Sequence, residues 1–252
     1  MVRVHPSRSN RAVRATDVPT PAAQTSAAPT SGAPGALRVL TYNVRQLRDD
    51  AAAVVAVLRE ADADVVALQE PPRLLTGRRR LRRLAADAGL TVAVAGGGAR
   101  TTALLVRPGL PVHGARSMRL AWRPGRTRRG LAHATVAGVH VVSVHLGLTD
   151  AERASHLVRL LHLVRSSGAS GVVVAGDLNE EPGGLVRRAL ALHLHDATVS
   201  AGPTFPAARP RRWIDAVLVG RGLVASGARR LEGEEARRAS DHLPLLVQVR
   251  VP

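Results

Sequence analysis

Apolar residues recur along this chain in two rhythms, and the rhythm changes several times. From Leu37 to Val44 apolar and polar positions alternate closely enough to predict a strand. Asp49-Asp50 then offers a helix cap, and Val54, Val55 and Leu58 set a buried stripe on a helix reaching about Glu60. Asp64 to Gln69 reads as a second strand, which Pro71-Pro72 stop, leaving Glu70 on the strand-end loop. A helix over about 78–88 follows, one face of it made very basic by arginine.

Between 91 and 146 the pattern predicts strands over 91–95, 101–107, 112–120, 130–137 and 139–146, punctuated by Gly and Pro. Thr149-Asp150-Ala151-Glu152 has the form of a capping box. It opens a helix to about Arg165 with Leu157, Leu160, Leu161 and Val164 on its stripe and Gly168 at its stop. The apolar run Val172-Val173-Val174-Ala175 reads as a buried strand over 171–176 that delivers Asp177. A helix over 184–194 and strands over 213–219, 222–231 and 244–251 complete the pattern, with no internal repeat. This mixture argues for α/β layers, two packed sheets with helices outside. A Rossmann fold is the weaker reading, because no G-x-G-x-x-G opens a helix after the first strand; a P-loop is also absent.

Residues 1–36 are rich in Pro, Ala, Ser, Thr and Arg and lack periodic apolar positions, so they read as a disordered leader ahead of a domain over 37–252. They lack the apolar core, roughly 7–15 residues long, of a secretory signal, although a misplaced start would hide one. No apolar run approaches the roughly 20 residues that cross a bilayer. The expectation is a cytoplasmic monomer.

Composition changes this picture in three ways. The chain is 45% hydrophobic but only 2% aromatic, so its core must be built from Ala, Val and Leu. It has no Cys, which excludes disulfides, zinc–thiolate centres and thiol nucleophiles while leaving the compartment open. Its formal charge is +17, ordinarily a sign of nucleic acid or an anionic surface. Every basic side chain other than His is Arg, however, and Ile214, Phe205 and Tyr42 are each the sole residue of their type, a skew that a GC-rich genome imposes through codon usage. Arg78, Arg79, Arg80, Arg82 and Arg83, with Arg126, Arg128 and Arg129, could track a phosphate backbone or simply form a solvated face. Trp122 and Trp213 are the only indoles available for stacking on bases. Asn occurs three times; Asn10 falls in the leader, and Asn43 and Asn179 stand at strand ends beside acidic residues, where they either carry chemistry or cap turns.

Two acidic signatures concentrate the candidate chemistry: Gly176-Asp177-Leu178-Asn179-Glu180 and Ser240-Asp241-His242-Leu243-Pro244. A carboxylate and a carboxamide two residues apart share one face of a strand and can aim at one small target. The same pair also suits an Asx turn before Pro182. Asp241 fits a turn before Pro244, His145 a core position, and Glu70 a plain loop. Oxygen ligands beside an imidazole suit hard-cation chemistry on phosphate esters.

Six segments carry a resemblance. They are Thr41-Tyr42-Asn43-Val44, Leu68-Gln69-Glu70, Ser143-Val144-His145-Leu146, Gly176-Asp177-Leu178-Asn179, Trp213-Ile214-Asp215 and Ser240-Asp241-His242. Their order and spacing closely resemble the endonuclease/exonuclease/phosphatase superfamily, the DNase I-like metal-dependent phosphoesterases, over about residues 37–251. The resemblance implies a four-layer α/β sandwich, two packed mixed β-sheets flanked by helices, and Mg²⁺-assisted hydrolysis of a phosphate ester, with Mn²⁺ as a substitute ion. It implies that Asn43 and Glu70 hold the metal with Asp241 nearby, and that Asp177 orients and deprotonates the attacking water. Asn179 would hydrogen-bond the phosphate or the nucleophile. His242, oriented by Asp215, would contact a non-bridging oxygen, and a carboxylate on one ring nitrogen favours the imidazolium. His145 would donate a proton to the leaving oxygen or bind the phosphate. Abasic-site endonucleases of this superfamily usually carry Tyr at that place, whereas DNase I-like nucleases, sphingomyelinases and inositol-phosphate phosphatases carry His. Ala216 departs from the aromatic residue common after Ile214-Asp215.

The expected partner is a phosphate-ester substrate, DNA or RNA slightly preferred on charge. A small-molecule or lipid-headgroup phosphatase or phosphodiesterase is the alternative, and a catalytically silent binding module comes third. His113, His133, His140, His156, His162, His193 and His195 read as structural or exposed, the last two as an H-x-H on a helix end with its members on different faces.

Overall fold

The short aliphatic residues that dominate the chain pack as strands, and a computed structural model describes them over residues 1–2, 36–73, 75–167 and 171–252. In chain order the elements are β1 (Ala36–Asn43), α1 (Ala51–Ala61), β2 (Val65–Gln69), α2 (Gly77–Asp87), β3 (Thr91–Ala95), β4 (Thr102–Val106), β5 (Val112–Arg119) and β6 (Gly130–Val136). There follow β7 (Val139–His145), α3 (Asp150–Ser166), β8 (Val172–Asp177), α4 (Leu185–Ala191), β9 (Leu194–Asp196), β10 (Asp215–Gly220), β11 (Val224–Arg230), α5 (Glu234–Ala239) and β12 (Leu245–Arg250). They form two six-stranded mixed sheets, β11-β12-β1-β2-β4-β3 and β5-β6-β7-β8-β10-β9.

Alternation along each strand sorts its side chains into layers. Val39, Val65, Leu104 and Val247 from the first sheet meet Ala134, Val141, Val173 and Val217 from the second in an aliphatic inter-sheet core. The other face of the first sheet packs Leu40, Tyr42, Val66 and Leu68 against α1, α2 and α5. The other face of the second packs Val142, Val144, Val174 and Leu218 against Leu157, Leu160, Val186 and Leu190 of α3 and α4. The result is the expected layering, helix–sheet–sheet–helix, with small aliphatics doing what aromatics do elsewhere.

β1 and β2 are parallel, with Asn43 opposite Gln69, and β7 and β8 are parallel, with His145 opposite Asp177. β10 runs antiparallel to β8 and begins at Asp215 opposite Asp177, while β12 runs antiparallel to β1 just after the 240–242 segment. Strand direction therefore brings all six candidate segments to one rim of the sandwich. Gly176 is required there, because a Cβ at that position would stand 2.0 Å from the Val144 carbonyl oxygen of the neighbouring strand.

Several elements differ from their sequence reading. α1 buries Ala53, Val54, Val57, Leu58 and Ala61, with Val55 only half-buried. α3 has its capping box but buries Leu163 and leaves Leu161 at the margin. α4 ends at Ala191, so the H-x-H is not on a helix: His195 lies on β9, and His193, in the turn before it, accepts from Arg165 Nε at 3.3 Å. β10 starts at Asp215, leaving Trp213 and Ile214 outside it. The helix α5 lies where the pattern predicts no element; it buries only Ala236 and Ala239, too few for a stripe, and is supported by acids in its first turn and arginines in its last. The leader before residue 36 and the helix stop at Gly168 fall outside the described residues.

Candidate active site at the sandwich rim

Asp177, the last residue of β8, is the hub. Its Oδ2 accepts from Asn43 Nδ2 at 3.2 Å, across the gap between the sheets. The same oxygen lies 3.4 Å from His145 Nε2 and 3.9 Å from His242 Nε2. Its Oδ1 accepts from the Asn179 backbone N–H at 2.9 Å, the Asx turn that the sequence allowed. Asn43, His145, Asp177, Asp215 and His242 are all buried.

His242 Nδ1 sits 2.9 Å from Asp215 Oδ2, so the two residues paired in the sequence reading are in contact. Thr204, fully buried, donates its hydroxyl to that same oxygen at 2.5 Å, and Asp215 Oδ1 has no partner among the described residues. Phe205 packs against the His242 ring with centroids 4.8 Å apart. Ser240 Oγ donates to the Asn43 carbonyl at 2.7 Å and so ties the 240–242 segment to the end of β1.

These environments divide the titrating groups. Burial, and then the charge of Asp215, push the Asp177 carboxyl up to about 6, against the pull of His242, the Asn179 N–H and Arg129. Burial works against the His242 imidazolium, but Asp215, by charge and hydrogen bond, together with Asp177 and Asp241, raises it to about 9. His145 goes the other way: burial and the charges of Arg129, His242 and Arg73 hold it well below the ordinary histidine value. Near neutral pH, Asp177 is thus an anion, His242 a cation and His145 a neutral ring. His145 Nδ1 makes no hydrogen bond among the described residues, and the Thr101 backbone pulls the ring's proton affinity the other way.

The remaining predicted residues stand around this hub. Glu70 follows β2 in the left-handed region (φ 49°), and its carboxylate makes no hydrogen bond or ion pair among the described residues. Its backbone carbonyl accepts from Gln46 N at 2.8 Å, so it lies beside the chain that leaves Asn43. Asp241, a third exposed, pairs with Arg45 Nε at 3.4 Å. Asn43 Oδ1 accepts the Arg45 backbone N–H at 3.1 Å. Asn179 departs from its sequence reading: it lies beyond β8 with φ 50°, so strand alternation does not aim it, and its Nδ2 donates to the Leu146 carbonyl at 3.1 Å.

Thr204, Ser240, Phe205 and Arg129 support the hub, although sequence reasoning does not single them out for it. Arg129 is buried, and its Nη1 donates to the His145 carbonyl at 3.5 Å. Phe205 carries a signal, as the sole Phe of a chain nearly free of aromatics. Thr204 carries none, because an isolated Thr in a loop is ordinary.

Two mixed sheets with helices outside and a carboxylate–imidazole cluster at one rim define a DNase I-like sandwich. The chain belongs to the Endonuclease/Exonuclease/phosphatase family, whose model matches residues 40–242, and members of that superfamily are phosphoesterases. The fold is shared with an endonuclease/exonuclease/phosphatase from Bacteroides vulgatus at 17% identity and a TM-score of 0.71, over 86% of this chain and 99% of that one. It is shared with an AP endonuclease from Archaeoglobus fulgidus at 21% identity and a TM-score of 0.65, over 84% and 98% of the two chains. A mannosyl-6-phosphatase from Bacteroides thetaiotaomicron is similar at 16% identity and a TM-score of 0.65, over 84% and 99%. No curated protein sequence matches the chain. Among the described residues no helix is long and apolar enough to cross a membrane.

Proposed function

We propose that this chain is a divalent-cation-dependent phosphodiesterase of the cytoplasm, acting as a monomer and preferring nucleic acid. The observation that carries the reading is the buried Asp177 carboxylate, reached at once by Asn43, His145 and His242 and answered by no arginine within ion-pair distance among the described residues.

The donor set fits a hard cation. Glu70 has a carboxylate free of hydrogen bonds and ion pairs among the described residues, Asn43 offers Oδ1, and Asp241 offers a partly exposed carboxylate at the same rim, all oxygen ligands of the kind Mg²⁺ prefers. Ligand atoms of Asp177, Asp215 and His242 also lie within 4.8 Å of one another. That trio is the poorer cation site, because Asp215 Oδ2 already receives the Thr204 hydroxyl and faces the His242 ring nitrogen. When bound, the cation would neutralise charge on the phosphate and lower the cost of charge developing there.

The chain's own residues do the rest. Asp177, ionised above about pH 6, takes a proton from the water that attacks phosphorus. Asn43 and the Asn179 N–H hold its two oxygens in place. The His242 imidazolium, fixed by Asp215 and packed on Phe205, donates to a non-bridging oxygen as negative charge grows there. Neutral His145 contributes a hydrogen bond to the phosphate or the leaving oxygen. The Asn179 amide oxygen remains for the phosphate or the water, since Nδ2 is held by Leu146.

The test is turnover of bis-p-nitrophenyl phosphate with Mg²⁺ or Mn²⁺, abolished by EDTA. Turnover that survives chelation rejects the cation dependence. The fold is common to an AP endonuclease and a mannosyl-6-phosphatase, so it favours neither substrate. Nicking of supercoiled plasmid, set against phosphate release from a panel of monoesters, decides between nuclease and small-molecule phosphatase.

A further inference from the structure

Beside the catalytic rim lies a cavity of about 320 Å³ lined by Arg73, Arg78, Arg100 and Arg128 and, among the described residues, by no Asp or Glu. Its volume falls in the range of small-ligand clefts, about 300–1,000 Å³. A second cavity of about 200 Å³ shares Arg100 and Arg128 with it and adds Arg119, Trp122 and Arg129. Arg100 and Arg128 line both, so the two cavities adjoin and together are the trough. None of Arg73, Arg78, Arg100 and Arg128 has an ion-pair partner among the described residues; Arg128 lies over the Trp122 ring at 4.3 Å.

Arginine abundance alone does not account for this. Elsewhere some arginines are answered by acids, as in Arg107 with Asp62 and Asp64, Arg230 with Glu232, and Arg238 with Asp50 and Glu235, and others, such as Arg79, Arg82 and Arg123, have no ion-pair partner among the described residues; what sets the trough apart is that four arginines line a single cavity. In the trough several arginines line one space with no Asp or Glu among its lining residues, an arrangement that repels itself and that a bound anion relieves. The floor suits a close approach: Gly96 and Gly97 turn in the left-handed region, and a Cβ on Gly96 would come within 3.4 Å of the Arg78 guanidinium. The trough also adjoins the hub. Pro71, Pro72 and Arg73 follow Glu70 directly, and Arg73 and Arg129 both bear electrostatically on His145.

We propose that this trough is a second anion subsite, which binds a phosphate group of the substrate other than the one hydrolysed. The substrate class is therefore a molecule with at least two linked phosphates, a polynucleotide strand or a compact polyphosphorylated compound. The inference rests on reading the rim as a phosphoesterase site, and it assigns Arg78, Arg100 and Arg128 to substrate binding. The arginine run on α2 does not act as one stripe: Arg78 enters the trough, while Arg83 pairs with Asp87 and Arg80 reaches the Leu47 carbonyl.

The test measures binding in the full chain, so that it does not depend on turnover. A fluorescein-labelled single-stranded hexanucleotide and inorganic tripolyphosphate are the probes, in the wild type and in R78Q/R100Q/R128Q, with EDTA present. The triple change should weaken one of the two probes at least tenfold. For the oligonucleotide it should also flatten the dependence of log K on log salt by about 0.7, the contribution of the one phosphate that is no longer neutralised. Weakening confined to the oligonucleotide assigns the second phosphate to a strand, and weakening confined to tripolyphosphate assigns it to a compact molecule. R78K/R100K/R128K should restore much of the binding, because a phosphate accepts a point charge. Unchanged affinity for both probes overturns the subsite. If the triple variant does not fold, the three single changes carry the same comparison. Absence of cation-dependent diester turnover in the wild type would remove the phosphoesterase reading and leave the binding result standing.

Discussion

The two ends of β1 carry acids in opposite circumstances. At its start Asp62 and Asp64 are met by Arg38 and Arg107: Arg38 Nη1 and Arg107 Nη2 reach the Asp62 carboxylate at 2.8 and 2.7 Å, and Arg107 Nε reaches Asp64 at 2.7 Å. The Arg38 backbone N–H donates to Asp64 as well, at 2.8 Å. At its finish, about 17 Å away at 3.3 Å per residue, Asn43 opens onto Asp177 and Asp215. Among the described residues these have amides, a hydroxyl and imidazoles but no arginine within ion-pair distance. The first end pairs its acids, with only Arg38 Nε left without a partner among the described residues, and fastens β1, β2 and β4 together. The second leaves an orphaned Asp215 oxygen and a carboxyl whose proton affinity is raised toward neutrality. Acids that are fully answered hold a fold; acids left partly unanswered on a rigid rim are available for chemistry.

The largest effect should come from breaking the catalytic end. Asp177→Asn keeps the shape and the Asn179 turn but removes the proposed base, so kcat/KM on bis-p-nitrophenyl phosphate should fall about 10²–10⁴-fold. Tm should hold or rise, because a buried charge raised by desolvation has been removed. Retained activity would refute Asp177 as the base, and a collapse of Tm would make it a structural residue like Asp64.

Next is the pH dependence of the same end. His242 has its affinity for a proton raised from the ordinary 6.5 to about 9, so its contribution to stability is fully present below about pH 6.5 and disappears as pH rises through about 9. Asp177 has already ionised in both folded and unfolded chains by pH 7, so it does not contribute to this window. The span corresponds to at most about 3 kcal/mol, or about 6–12 °C in Tm for a domain of this size. EDTA-treated protein should therefore melt progressively lower between about pH 7.5 and 9, above the range in which the buried His133, His140, His145 and His156, held below the ordinary histidine value, offset the loss, and Asp215→Asn should flatten that slope. An unchanged slope in the variant would separate His242 from Asp215.

The contrast between the ends also shows what the sequence made legible. Strands over 37–44, 64–69, 139–146 and 171–176 followed from apolar runs, within a residue at their far ends of the observed Asn43, Gln69, His145 and Asp177, and family-like spacing picked out the residues that meet at the rim. Strand direction, which takes the six segments to one edge, came with the resemblance and not from periodicity. Contacts made by residues of ordinary type were hidden: Thr204 on Asp215, Ser240 on the Asn43 carbonyl, and the arginines that close the far end depend on loops whose paths no local pattern encodes. Alternation places Asn179 on a strand that has already ended. Short elements such as β9 and α5 bury too little for a periodic signal.

At the closed end, Asp64→Ala should cost about 2 kcal/mol, since it strands the buried Arg38 N–H and removes a charge-assisted contact to Arg107. Tm should fall by about 4–8 °C, while kcat/KM on the small diester stays within twofold. A drop in activity larger than the loss of folded protein would mean that the two ends communicate, and the contrast between them would then be incomplete.

The smallest effect tests the one place where the catalytic end imitates the closed one. Arg45 Nε lies 3.4 Å from Asp241, a proposed cation ligand, and its Nη1 holds Asp49 at 2.9 Å. Arg45 is nearly half exposed, so the pair with Asp241 is worth no more than about 1 kcal/mol. If Asp241 serves a cation, Arg45 competes with that cation for the carboxylate, and Arg45→Ala should lower the Mg²⁺ concentration for half-maximal turnover by about two- to fivefold. Added salt should shrink the difference, because screening weakens an exposed pair. If Asp241 is instead a structural acid like Asp64, removing Arg45 should leave the Mg²⁺ requirement unchanged and lower Tm slightly. The sign of the Mg²⁺ shift thus decides to which kind of acid Asp241 belongs.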